Sequence, residues 1–260
     1  MIKGRENKDG GFKLYTGLCD MEVVAFNPEV EQLREFFGGS DKTREPNYTS
    51  TGEDGTAKIR LDVWLKNNEH NIFTKMSIFL EDKDRISKEG KPQWINEVGQ
   101  TTWVDSPENL DPERQKYFNL AKKPRIAKVG EEELYEFLKA WTNIDQKADD
   151  SELKLDTAWS SIIGGNVSEL NKYIPVLNRK VKVLLGVRDN KYQDVYSKVI
   201  LKEGGTYIDT LQKNVTGQYA WKSNYQNSFK LQQFNPDMDA PVESTAKQAT
   251  AEEIKAALKV

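Results

Sequence analysis

Aromatic and cationic side chains alternating along expected strands are the residues here best suited to chemistry. In KVKVLLGVRDNKYQDVYSKVILK (180–202), Tyr192 and Tyr196 stand close to Arg188, Lys191 and Lys198. Flat rings among cations suit an extended polyanion with flat bases, the rings stacking bases and the cations meeting phosphates. Trp64 repeats the pattern in LDVWLKN (61–67), alternating with Arg60 and Lys66. Trp94 and Trp103 bracket a loop over 95–102, and Lys122-Lys123-Pro124-Arg125 is a compact basic cluster. Pro124 disfavours helix at Lys123, so Lys123 and Arg125 are expected in an extended segment that can contact phosphates.

Each of these has a packing alternative. With a two-residue Asp189-Asn190 turn, Val187 pairs with Tyr192 and Val183 with Tyr196, so both tyrosines share the valine face. One bulged residue instead turns them to the opposite face. Trp64 is core if a helix covers its side of the strand. For Trp94 and Trp103 the alternative is ordinary sheet packing, and for the basic cluster a solvated loop.

Other chemistries lack their residues. Cys19 and His70 are each the only residue of their kind. That excludes an internal disulfide and a Cys/His zinc site, and leaves only His70 as an imidazole base. His70 is expected in a solvated loop, and Cys19 as a small buried hydrophobe. Glu81/Asp82 and Asp149/Asp150 are paired carboxylates in expected turns without a partner base. Gly164-Gly165-Asn166 lacks the Lys-Ser/Thr sequel of a phosphate loop. The expectation is a binding protein rather than an enzyme, with no catalytic residue, metal or cofactor. A carboxylate-based hydrolase or nuclease would need two acids converging in a pocket.

The elements that must carry these side chains follow from periodicity. Residues 12–26 read as strand, turn, strand, and Asn27-Pro28 as the cap and first turn of a short helix with Leu33, Phe36 and Phe37 inward. Ile59, Leu61, Val63 and Leu65 form one face of a strand that returns through 72–80. Residues 81–92 read as a charged turn, and 93–103 as two short strands around Val98-Gly99. Leu134, Phe137, Leu138 and Trp141 mark a helix over 131–143, and a further helix is expected over 168–174. Many short strands with polar turns suggest a small barrel or sandwich.

The boundaries expected are a mobile arm at 1–11, a core at 12–234 with a helical insertion at about 107–178, and a linker with a short capped helix at 235–260. The formal charge is −3 with 30% charged residues, so any polyanion site must be a local patch on an acidic body. No apolar run approaches a membrane span.

The segments LDVWLKN (61–67), INEVGQTTW (95–103), VGEEELYEFLKAW (129–141) and VKVLLGVRDNKYQDVY (181–196) together resemble the single-stranded DNA-binding proteins of tailed phages, above all those of crAss-like phages. The resemblance implies an α+β fold: an OB-like antiparallel β-barrel with helical insertions and a flexible C-terminal tail. It implies binding of unpaired DNA during replication or recombination in the host cytoplasm. Replication proteins would be partners of the tail. Two departures stand out. Larger relatives often hold zinc in a Cys/His subdomain, which this chain cannot build. Their tails are strongly acidic, whereas Lys247, Lys255 and Lys259 partly offset the acids here. The rival expectation is a virion or scaffold component acting through protein–protein contacts, in keeping with the acidic net charge.

Overall fold

The computed structural model describes residues 13–36, 45–142, 162, 166–188, 192–204 and 230–234. The expected terminal arm, linker and C-terminal helix lie outside them.

Alternating apolar residues build one strongly curled antiparallel sheet. Strand β1 (Tyr15–Phe26) pairs with β3 (Ala57–Asn67) on one side and with β9 (Lys180–Arg188) on the other. Strand β3 pairs with β4 (Ile72–Asp84), and β9 with β10 (Tyr192–Lys202). The order β10-β9-β1-β3-β4 ends on the two-residue β8 (Lys128–Val129), while the short β2 (Thr49–Thr51) adds to β3 and β11 (Gln232–Gln233) to β1. The curl brings the two ends of this order toward each other, since Thr74 Oγ1 on β4 donates to the Gln193 carbonyl on β10 at 3.2 Å.

Met21, Leu61, Val63, Ile78, Leu80, Val181, Val183 and Leu185 line the inside of the curl and are buried. Helix α3 (Glu131–Thr142) fills it, burying the expected stripe of Leu134, Phe137, Leu138 and Trp141. Phe26 meets the rings of Phe137 and Trp141 at 5.9 and 5.1 Å. Three glutamates in the first turn of α3 complement its dipole. Beside it lies a second sheet, β6-β5-β7, from Gln93–Ile95 (β5), Thr101–Trp103 (β6) and Arg125–Ile126 (β7). Small helices complete the fold: α1 (Val30–Phe36), α2 (Pro112–Gln115), α4 (Ser168–Asn171) and α5 (Tyr173–Leu177).

Two local expectations are corrected. Residues 15–26 are one strand, not two around a turn, because Gly17 absorbs the irregularity at φ +104°. A Cβ there would lie 2.2 Å from the Lys230 carbonyl oxygen, so only glycine admits the approach of the 230–234 segment. Asn27 does not cap α1. It sits at φ +43°, and its amide donates to the Arg60 carbonyl (3.1 Å) and accepts from the Asp62 amide (2.6 Å). The side chain that would have capped the helix pins the end of β1 to β3 instead.

Candidate nucleic-acid interface

The register of the β9–β10 hairpin decides which rings face outward. Tyr192 pairs with Arg188, Gln193 with Val187 and Tyr196 with Leu184, leaving residues 189–191 as the connection. The two-residue turn is therefore replaced by the longer one, and the tyrosines leave the valine face. Tyr192 is 56% exposed, and the Arg188 guanidinium lies 5.8 Å from its ring centroid. Arg188 makes no ion pair among the described residues. Tyr196 faces the same way but is only 6% exposed, buried beside Leu184. It is a packing residue, not an open stacking platform. A further register shift after Tyr196 returns Ile200 to Val183 and to the core.

The hairpin tip is held by Gln193. Its side-chain amide accepts from the Tyr15 amide at 2.8 Å, and donates to the carbonyls of Tyr15 (2.7 Å) and Gly186 (2.9 Å). It thus mimics a strand backbone against the start of β1. Lys191 and the side chain of Lys198 fall outside the described residues.

Trp64 is corrected from stacking platform to core: it is 8% exposed, with Leu33 and Phe36 of α1 packed over it. Its ring stacks on Phe73 at 5.0 Å, with the Lys75 ammonium 5.8 Å from the ring centroid. Burying Leu33 against this cluster stabilises the cover by about 2 kcal/mol. Arg60 is also engaged. Its Nε is 3.1 Å from Asp62 Oδ1, and its guanidinium lies 5.5 Å from the Tyr48 ring. Asp62 is itself buried and takes Lys75 Nζ at 2.5 Å and the Ser77 hydroxyl at 2.6 Å. Burial and the Asp62 charge push the Tyr48 phenol up to about 12, and its hydroxyl donates to the Pro28 carbonyl. Lys66 is half-buried, cross-strand from Glu22 and Phe73.

The basic cluster divides. The Lys123 ammonium is exposed but lies 2.8 Å from Glu97. Arg125 grips Glu131, which is fully buried at the start of α3, through both guanidinium nitrogens. Glu131 also accepts from the Lys128 amide at 2.8 Å. Arg125 therefore fastens the second sheet to α3 and is a positioning residue for that helix. Trp94 is half-buried and donates to the Val104 carbonyl at 2.9 Å, while Trp103 is 39% exposed on the edge strand β6.

Sequence reasoning passed over Arg85, Lys88 and Lys91, reading their segment only as a charged turn. The Arg85 guanidinium lies 5.8 Å from the Trp103 ring centroid. Lys88 and Lys91 are exposed and make no ion pair among the described residues. The lysine spacing of three around Gly90 was the available signal. Phe79 was read only as part of a strand; it stands 64% exposed on the outer face of β4.

The two single residues behave differently. Cys19 is buried, and burial together with Asp20 pushes its thiol up to about 11, so it is unreactive at neutral pH. His70 is not merely solvated: its ring lies 5.4 Å from that of Tyr15. Among the described residues, no group of three or more His, Cys, Asp or Glu is placed to hold a metal ion, and no helix is long and apolar enough to cross a membrane. No family model, curated protein or solved structure matches this chain.

Proposed function

We propose that the protein binds single-stranded DNA without sequence preference, in phage replication or recombination, and catalyses nothing. The observation that carries this reading is the Tyr192–Arg188 pair: an open ring and a guanidinium without an ion pair among the described residues, cross-strand neighbours at the end of the β9–β10 ladder. A base stacks on the ring while the guanidinium meets the adjoining phosphate.

Connectivity supports an OB-type barrel as the frame. Five long strands run as a meander (β1, β3, β4), a helix, then a strand beside β1 and a return toward β4. OB folds take oligonucleotides on strands two and three and on the loops joining strands one to two and four to five. In that reading the 189–191 connection is the last of these loops.

Fluorescence anisotropy of a labelled dT oligomer tests the proposal. Binding is expected to weaken with salt, by about 0.7 log units in K per phosphate neutralised for each log unit of salt. Tyr192→Ala should lower affinity about tenfold, as loss of one stacked base does, and Arg188→Ala should reduce the salt slope by about one phosphate. No complex at low salt, or a folded Tyr192→Ala protein with unchanged affinity, overturns it. The first outcome would favour the virion or scaffold role, to which the exposed Phe79, Ile86 and Tyr117 lend themselves. Light scattering would then detect a stable oligomer.

A further inference from the structure

We infer that Arg85 and Trp103, with Lys88 and Lys91, form a second contact for single-stranded nucleic acid, remote from the hairpin tip. The inference rests on the single-strand reading and extends it from one point of contact to two.

The row Arg85, Gln93, Trp103 crosses three neighbouring strand segments. The Gln93 amide donates to the Arg85 carbonyl at 2.9 Å, and Gln93 pairs with Trp103. Cross-strand neighbours share a face, which explains the guanidinium beside the indole. Arg85 Nη2 makes a long ion pair with Glu132 Oε2, at 4.0 Å. That carboxylate is already met by the Gln93 side-chain amide (2.8 Å) and the Thr101 hydroxyl (3.1 Å). The Arg85–Glu132 contact is long and uses one guanidinium nitrogen, so the remaining N–H groups of Arg85 can meet a phosphate. Arg125, gripping a buried carboxylate with both nitrogens, is the opposite case.

Next to Arg85 the chain makes a tight turn. The Ser87 amide donates to the Lys91 carbonyl (2.8 Å), the Ser87 hydroxyl accepts from the amides of Glu89 and Lys91, and Gly90 sits at φ +82°. The turn presents Lys88 and Lys91 to solvent, with Glu89 and Gly90 between them. An exposed indole, a guanidinium over it and two ammonium groups without an ion pair among the described residues are the parts needed to stack a base and hold the flanking phosphates.

The two contacts lie at opposite ends of β4. Thr74, near its start, bonds to Gln193 beside Tyr192, and Arg85 directly follows its last residue. At about 3.3 Å per residue, the extended run from Thr74 to Arg85 spans roughly 36 Å. A short oligomer therefore occupies one contact, and a longer one reaches both.

The experiment is a titration with dT oligomers of about five and about twenty nucleotides, lengths near and beyond the ends of the usual site-size range. The intact chain should bind two short oligomers and one long one. Trp103→Ala should reduce the short-oligomer stoichiometry to one and lower the affinity for the long oligomer about tenfold. Lys88→Glu/Lys91→Glu, confined to exposed side chains, should do likewise with a smaller salt slope. It serves as the test if Trp103→Ala does not fold. If these variants change neither readout while Tyr192→Ala weakens binding, the second contact is refuted and the hairpin-tip reading stands. If no variant, Tyr192→Ala included, changes binding, both fall.

Discussion

The hairpin tip and the outer face of β3–β4 are built from the same residue types and differ in what those residues are doing. Each has an arginine near a ring: Arg188 with Tyr192, Arg60 with Tyr48. At the tip the guanidinium lacks a carboxylate partner among the described residues. On β3 it faces buried Asp62, which also draws in Lys75 and Ser77, while the nearby tryptophan lies beneath α1. Composition along a strand therefore does not identify an interface. Side chains become available to a ligand only where neighbouring carboxylates and helices leave them so.

Four perturbations sharpen or break this contrast. The largest effect is expected from Trp64→Ala, which empties the space between Leu33, Phe36 and Phe73. It should cost roughly 3 kcal/mol in denaturant unfolding and leave DNA affinity per folded molecule unchanged. Tyr192→Ala should show the converse, a stability change within about 0.5 kcal/mol. Lost affinity with intact stability in the Trp64 variant would merge the two regions into one site.

A smaller loss, about 2 kcal/mol, is expected for Arg125→Ala. It strands the buried Glu131 carboxylate, although the guanidinium itself is more than a third exposed. The calorimetric Tm should fall; an unchanged Tm with weakened DNA binding would return Arg125 to the interface. The smallest effect concerns Cys19. Its thiol is pushed up to about 11 in the folded chain, so the unfolded chain ionises first as pH rises. Its contribution is complete below the ordinary thiol range and is lost as pH climbs toward 11. Cys19→Ala should flatten the fall in stability between about pH 9 and 11, read as the difference between the two chains.

Much of the frame was legible in the residues. The alternation in 59–66 and 72–80 and the Leu134-to-Trp141 stripe correspond to β3, β4 and α3, because strict periodicity leaves few other ways to bury those side chains. Strand β1 was not, since Gly17 and Asp20 look like turn residues until the Lys230 carbonyl is seen against Gly17. The hairpin register hung on a single residue of loop length. Least legible was the availability of charge. Lys75 and Ser77 meet Asp62 only because β3 and β4 pair in one particular register, and the Arg85–Trp103 pair exists only across three strand segments.

The Gln193 side chain has a consequence for rate and entropy. Hairpin tips ordinarily sway on the nanosecond scale, and a ligand must halt that motion when it binds. By bonding to both the amide and the carbonyl of Tyr15, Gln193 ties the segment beside Tyr192 to the first strand before any ligand arrives. A base landing on Tyr192 therefore meets a strand start already tied in place, and less of its stacking energy is lost to ordering that segment.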